Sequence, residues 1–181
     1  MTLDGESFSP LQRALHWLMA ILVLVMLFIG VTMVSTLKPR FLTLIAIHKP
    51  LGIAILVLAI LRLYLRWKRG APPLPSDLPS IQVAAAKPSH AVLYALLIAM
   101  PLIGWGMLSA GGYPIVLFGS VHLARILPQN DQLYAVLRTA HTLVAYVFFA
   151  TILLHIAAAL LHVLIRRDGV FQAITWRRTR C

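Results

Sequence analysis

His141 and His155 lie fourteen residues apart within one long apolar stretch. Fourteen residues of α-helix turn the chain through about 1400°, within about 40° of a whole number of turns, and advance it about 21 Å. The two imidazoles therefore leave one helix face at two depths. Two other apolar stretches each carry one histidine near an end, His16 and His48. Two and two make a pair of bis-imidazole sites stacked along one axis. Two lone imidazoles per site suit a low-spin haem iron with both axial positions filled, which carries electrons and does not bind oxygen. Zinc asks for three or four protein ligands at one point, and di-iron bundles ask for inward carboxylates. The apolar stretches contain neither.

The elements that must hold these residues are membrane spans. Of 181 residues, 60% are hydrophobic and 12% charged, more apolar surface than a soluble domain of this size can hide. Crossing the hydrocarbon core takes about 20 apolar residues. Four stretches qualify: Leu15–Leu37, Leu42–Leu63, Ala91–Ala110 and Leu133–Ile165. The expected fold is an all-α membrane protein, a four-transmembrane-helix bundle with two b-type haems. It forms a single domain over residues 1–181. An ionisable side chain inside such a span is costly and by default functional, which is why four histidines at matched depths outweigh the ordinary expectation of packed, hydrogen-bonded rings.

The formal charge of +11 sets topology rather than a nucleic-acid surface. Arg13, the second connection with its flanks (Arg62, Arg66, Lys68, Arg69, Lys87) and the C-terminal end (Arg166, Arg167, Arg177, Arg178, Arg180) place eleven basic residues on one side. Lys38, Arg40, Lys49, Arg125 and Arg138 place five on the other. That asymmetry puts both termini in the cytoplasm and attracts anionic lipid headgroups. No basic stripe interleaved with aromatics is present, so nucleic acid is not an expected partner. The first span is not expected to be a cleaved signal peptide, because Asp4 and Glu6 precede it and its apolar core is too long. Cys181 is the only cysteine, which leaves no disulfide framework and no thiolate metal site. Without a C-x-x-C-H run, a haem has to be held non-covalently.

Ser9-Pro10 reads as N-cap and first-turn proline of helix 1. Pro50, two residues after His48, is expected to bend helix 2 or mark its restart. Gly70–Ser80 (GAPPLPSDLPS) reads as a semi-rigid linker, with Ser89 as the cap of helix 3. Gly111–Asp131 is the longest outer loop. Short connections make sequential helices antiparallel neighbours, so depths can be compared. His16 lies about 9 Å above the inner start of helix 1 and His155 about 15 Å above the inner end of helix 4. His48 and His141 lie seven and eight residues below the outer starts of their helices. The expected pairs are His16 with His155 for the inner haem iron, and His48 with His141 for the outer.

Cationic partners for the haem propionates are available as Arg13, Arg62 and Arg66 inside, and Lys49 and Arg138 outside, although each can equally snorkel at the membrane edge. His90 reads as a capping or interfacial residue and His122 as a solvated loop residue. His162, about 10 Å below His155 on the same face, is placed to hydrogen-bond and protonate a quinone headgroup.

The chain resembles the bacterial cytochrome b561 family of four-helix, two-haem membrane cytochromes. The resemblance is carried by LQRALHWLMA around His16, IAIHKPLGI around His48 and LAILRLYLRWKRGAPPLP with Arg62 and Arg66. SHAVLYALLIAMPLIGW, RTAHTL around His141 and LLHIAAALLH around His155 and His162 complete it. It implies electron transfer between the outer surface and the quinone pool of a bacterial inner membrane. One branch, of similar length and without partner subunits, oxidises superoxide outside and reduces ubiquinone near the inner haem. Carried over, the iron ligands are His16, His48, His141 and His155, with His162 at the quinone. Superoxide is an anion, and Lys38, Arg40, Lys49 and Arg125 would steer it to the outer face. Two alternatives stay open: a cytochrome b subunit fed by a hydrogenase or formate-dehydrogenase-type partner, and a haem-free, histidine-lined transport bundle. Proton and cation paths usually carry Asp or Glu relays, and the spans have none.

Overall fold

A computed structural model describes residues 7–36, 39–74 and 76–175. Four long helices dominate it: α1 (Pro10–Val34), α2 (Arg40–Arg69), α3 (Ser80–Ala110) and α4 (Asp131–Leu160). Each is long and apolar enough to cross a membrane. In lipid, every backbone polar group needs an internal partner, which an α-helix supplies. Their outer faces are lined with exposed Leu, Ile, Val and Phe, the inverse of a soluble bundle and the surface that acyl chains cover. α3 packs most extensively on α4 and α1 on α2, with a smaller α2–α3 contact.

Local chemistry explains the helix ends. Ser9 caps α1 in a reciprocal capping box with Gln12, and Pro10 takes the first turn, where its missing N–H costs nothing. The Asn130 side chain caps α4 by accepting from the Leu133 N–H at 2.8 Å. One expectation needs correction. α3 starts at Ser80, not near Ser89: Ser89 lies inside the helix and donates to the Ala86 carbonyl. The Gly70–Ser80 linker leads straight into the helix, with Pro79 before the first turn and Pro88 accommodated within it. Of the two expectations for Pro50, a bend or a restart, the restart does not occur: α2 runs unbroken through the buried proline. The long loop is not wholly irregular. It holds a two-stranded antiparallel hairpin, β1 (Val116–Leu117) and β2 (Val121–His122), with Val116 opposite His122. Its turn, Phe118-Gly119, has both φ values positive, the conformation that matches strand twist in tight hairpins.

The hairpin loop closes one end of the bundle. Lys49 Nζ donates to the Pro114 carbonyl at 3.1 Å, Trp105 Nε1 to that of Ala124 at 2.9 Å, and the buried Ser109 hydroxyl accepts from the Ile126 N–H. At the opposite end, here called the base, the start of α1 is latched to the C-terminal segment. The Phe8 N–H donates to the Ala173 carbonyl, Trp17 Nε1 to that of Ile174 and Arg13 Nη1 to that of Thr175. There α4 passes into a π-helical turn, Leu161–Arg166, ended by Arg167 in the left-handed conformation. Between the two ends lies a buried apolar cluster of Val23, Ile55 and Phe148, packed by Leu93, Leu97, Met100 and Ile152.

Candidate functional site

The four helices bring the histidines together in two sets, one toward each end. Near the hairpin end, His48 of α2 faces His141 of α4 with ring centres 6.3 Å apart and planes at 66°. Near the base, His16 of α1 faces His155 of α4 at 6.4 Å and 77°. Neither pair is hydrogen-bonded across its gap. Two imidazole nitrogens each about 2 Å from a shared metal place their ring centres about 6 Å apart. Both pairs match that spacing, and on either side Phe148 lies seven residues from each α4 histidine.

Two further observations fit an iron held between rings. Nδ1 of His48 is buried with no hydrogen-bond partner, whereas the His141 ring lies within reach of the Met100 carbonyl, the kind of acceptor that steadies a metal-ligating imidazole through its other nitrogen. Gly104 of α3 lets His141 approach closely: a Cβ there would stand 3.3 Å from Cε1 and 3.6 Å from Nδ1 of the ring. No cluster of three or more His, Cys, Asp or Glu among the described residues is arranged to hold a bare metal ion. Each facing pair thus offers two imidazoles, which fits a porphyrin that brings its own four nitrogens.

The base set has a third member. His90, expected as an interfacial cap, lies within α3 with its ring centre 5.7 Å from that of His155, and its Nδ1 bonds the Ala86 carbonyl at 2.7 Å. A helix beginning at Ser89 would put this residue at the interface; measured from the observed start at Ser80, its depth matches that of His155. Arg62 lies in electrostatic range of His16, His90 and His155, and Arg66 of His90. Arg62 Nε donates to the Tyr94 hydroxyl at 3.1 Å and Nη1 to the Gln12 carbonyl at 3.3 Å. It is therefore a fixed cation beside the rings, suited to an acidic cofactor edge. Tyr94, which steadies it, gave no signal in the sequence.

The remaining expected residues sit as follows. Arg13 is tied to the Thr175 carbonyl. Lys49 is committed to Pro114 and borders a surface hollow with Phe118 and Gly119. Arg138 is exposed on α4 beside Tyr134, Thr139 and Thr142. Neither hollow is lined by a histidine. Arg40 and Arg125 are exposed toward the hairpin end, and His122 is exposed on β2. Lys38 lies outside the described residues. His162 opens the π-helical turn, and its Nδ1 is 2.6 Å from Asp168 Oδ2.

A four-helix membrane bundle with paired imidazoles at two depths defines the class of membrane cytochromes b. The family described as prokaryotic cytochrome b561 matches residues 7–177, and the chain belongs to it. It is 34% identical to a probable superoxide oxidase CybB of Yersinia pestis over 167 residues, covering 91% of this chain and 93% of that protein. It is 25% identical to cytochrome b561 homolog 1 of Escherichia coli K12 over 179 residues (94% and 98% covered), and 34% identical to homolog 2 over 119 residues (63% and 62%). Membership makes it a multi-pass, b-haem-binding protein of transmembrane electron transfer.

Proposed function

We propose that the chain is a single-domain superoxide:ubiquinone oxidoreductase. It takes electrons at the hairpin end and delivers them at the base. His48 with His141, and His16 with His155, would hold two b haems, with Arg62 and Arg66 beside the lower one. A bis-imidazole iron porphyrin supplies a one-electron carrier whose axial positions are closed to oxygen. The observation that carries the proposal is the pair of ring separations, 6.3 and 6.4 Å, one toward each end of the same helix.

The reaction balances as two superoxide anions yielding two molecules of oxygen and two electrons, while one quinone takes up two electrons and two protons to become the quinol. No proton is handled at the donor end. Arg40 and Arg125, exposed there, raise the local concentration of an anionic substrate. The base, with His162 and the basic residues around it, faces the cytoplasm in this proposal, since the eleven-to-five bias of Lys and Arg favours that orientation in a bacterial inner membrane. The name of the Yersinia relative supports the choice of donor. No protein partner is needed, because the chain's own loop covers the hairpin end.

The test is to add a superoxide source to the purified protein, first alone and then with a short-chain ubiquinone. Haem reduction followed by quinol formation is expected. Haems that dithionite reduces but superoxide does not would replace the proposal with a subunit fed by a docking partner. A preparation with no haem spectrum would end both and leave a transport bundle.

A further inference from the structure

Past the ligand pairs, the strongest unassigned group of side chains is at the base, where α4 ends. Asp168 has a side chain only 3% exposed. Its Oδ2 lies 2.6 Å from His162 Nδ1 and accepts from Arg166 Nε at 3.0 Å, and its Oδ1 accepts from the Val170 N–H at 3.2 Å. Arg166 reaches on to Asp77 in the α2–α3 linker, whose carbonyl lies at 3.4 Å and carboxylate at 3.7 Å. Among the described residues, the ionisable groups in contact with the His162–Asp168 couple are therefore Arg166 and, through it, Asp77.

Two features argue against a mere helix cap. A carboxylate just past a helix C-terminus faces the negative end of the macrodipole, where a cation is preferred. The last turn of α4 is also π-helical, closed by the Arg167 N–H donating to the His162 carbonyl at 2.8 Å, and single π turns occur mostly at functional sites. The widened turn and the left-handed Arg167 together fold the chain back so that Asp168 reaches the ring six residues earlier. Nε2 of that ring carries no hydrogen bond among the described residues, and the ring is 16% exposed. A histidine with one nitrogen held by a carboxylate and the other available is oriented for proton transfer.

We propose that Asp168 is a positioning residue for quinone reduction, holding His162 through Nδ1 so that its Nε2–H hydrogen-bonds and protonates a quinone carbonyl oxygen at the base. This rests on the quinone-reducing function proposed above. As two electrons reach the quinone, the Nε2–H bond breaks and an O–H bond forms at the nearer oxygen. His162 is left neutral with its Nδ1 proton still bonded to Asp168, and water on that side returns the lost proton. The second proton enters at the other oxygen from the same side. Asp168 stays a carboxylate throughout, accepting the Nδ1–H and holding the ring in the orientation that turns Nε2 away from it.

The experiment follows reoxidation of the pre-reduced protein by a short-chain ubiquinone across pH, beside reduction of the oxidised protein by superoxide. Asp168→Asn should leave superoxide reduction and the haem spectrum unchanged. It should slow reoxidation about tenfold or more near pH 8 and much less near pH 6, so the alkaline fall in rate moves to lower pH. Asp168→Glu should restore most of the rate. A rate within about twofold of wild type at every pH, or a uniform loss with no shift of the profile, overturns the inference while leaving the quinone function standing. Wild-type protein that ubiquinone never reoxidises sinks both. Should Asp168→Asn lose its haems, nitrogen NMR of histidine-labelled wild type decides, with the signals assigned by their loss in His162→Gln. A protonated Nδ1 is expected, and a neutral ring carrying its proton only on Nε2 refutes the couple.

Discussion

The His90 ring stands 5.7 Å from that of His155, nearer than the 6.4 Å that separates His16 from His155. Three imidazoles thus crowd the base, and only two can be axial to one iron. His16 at 6.4 Å repeats the 6.3 Å separation of His48 and His141, which makes it rather than His90 the expected partner of His155. Purified His90→Phe should therefore keep two haems per chain by pyridine haemochrome assay. His16→Ala and His155→Ala should each retain one. The reverse outcome would make His90 the ligand.

Much of this was legible beforehand because membrane constraints are severe. Span count, the capped start of α1 and the approach of His16 to His155 and His48 to His141 all followed from hydrophobic length and helical arithmetic. What stayed hidden depended on contacts that periodicity does not encode. The proline-rich run before α3 concealed ten further helical residues and with them the place of His90. The hairpin pairing of Val116 with His122 rests on two residues per strand, too short for an alternation pattern. Asp168 could have been flagged, since a carboxylate following Arg166-Arg167 runs against the helix dipole. Nothing in the sequence around Gly104 marks its contact with His141, which depends on how α3 packs on α4.

Gly104 should behave as a spacer for His141. An added methyl group would sit 3.3 Å from the ring carbon Cε1, so the ring must shift. Gly104→Ala is expected to broaden or shift the spectrum of one haem, and Gly104→Leu to abolish its binding while the other is kept. Gly30→Ala is the control: nothing lies within 4 Å of a Cβ there, and helix propensity predicts a gain of up to about 1 kcal/mol. Haem content and thermal unfolding in detergent check both.

The base latch should weaken in acid through Asp168. Burial disfavours its charge, but hydrogen bonds from His162, the Val170 N–H and Arg166 outweigh that and hold the carboxyl below its ordinary value of 3.8. A lowered folded-state value means the group stabilises the native state above pH 3.8 and ceases to as pH falls through the lowered value. Asp168→Asn should cost about 1 kcal/mol at neutral pH, modest because the cap borders water. The gap from wild type should narrow as pH falls from 3.8 through the lowered value. Unfolding at neutral pH and along an acid series measures it; a gap that persists in acid would mean the carboxylate charge contributes nothing.

Steering at the hairpin end makes a kinetic prediction. Arg40→Glu with Arg125→Glu should slow superoxide-driven haem reduction by up to about tenfold at low ionic strength. The difference should fade at about 1 M salt, where screening acts within about 3 Å. Reduction by dithionite, used in excess, should reach the same end point in both proteins. Equal superoxide rates at low salt would remove these cations from the donor surface.

Phe148, 7% exposed, occupies the midpoint of α4 between the histidine pairs, with Val23, Ile55, Leu93, Leu97, Met100 and Ile152 around it. None of these side chains can bind or release a proton, and together they leave no foothold for a file of water. Electrons tunnel across such a gap, while hydrated ions do not cross it. The bundle can then act as a wire sheathed in hydrocarbon, drawing current through the membrane without short-circuiting the proton gradient maintained on either side.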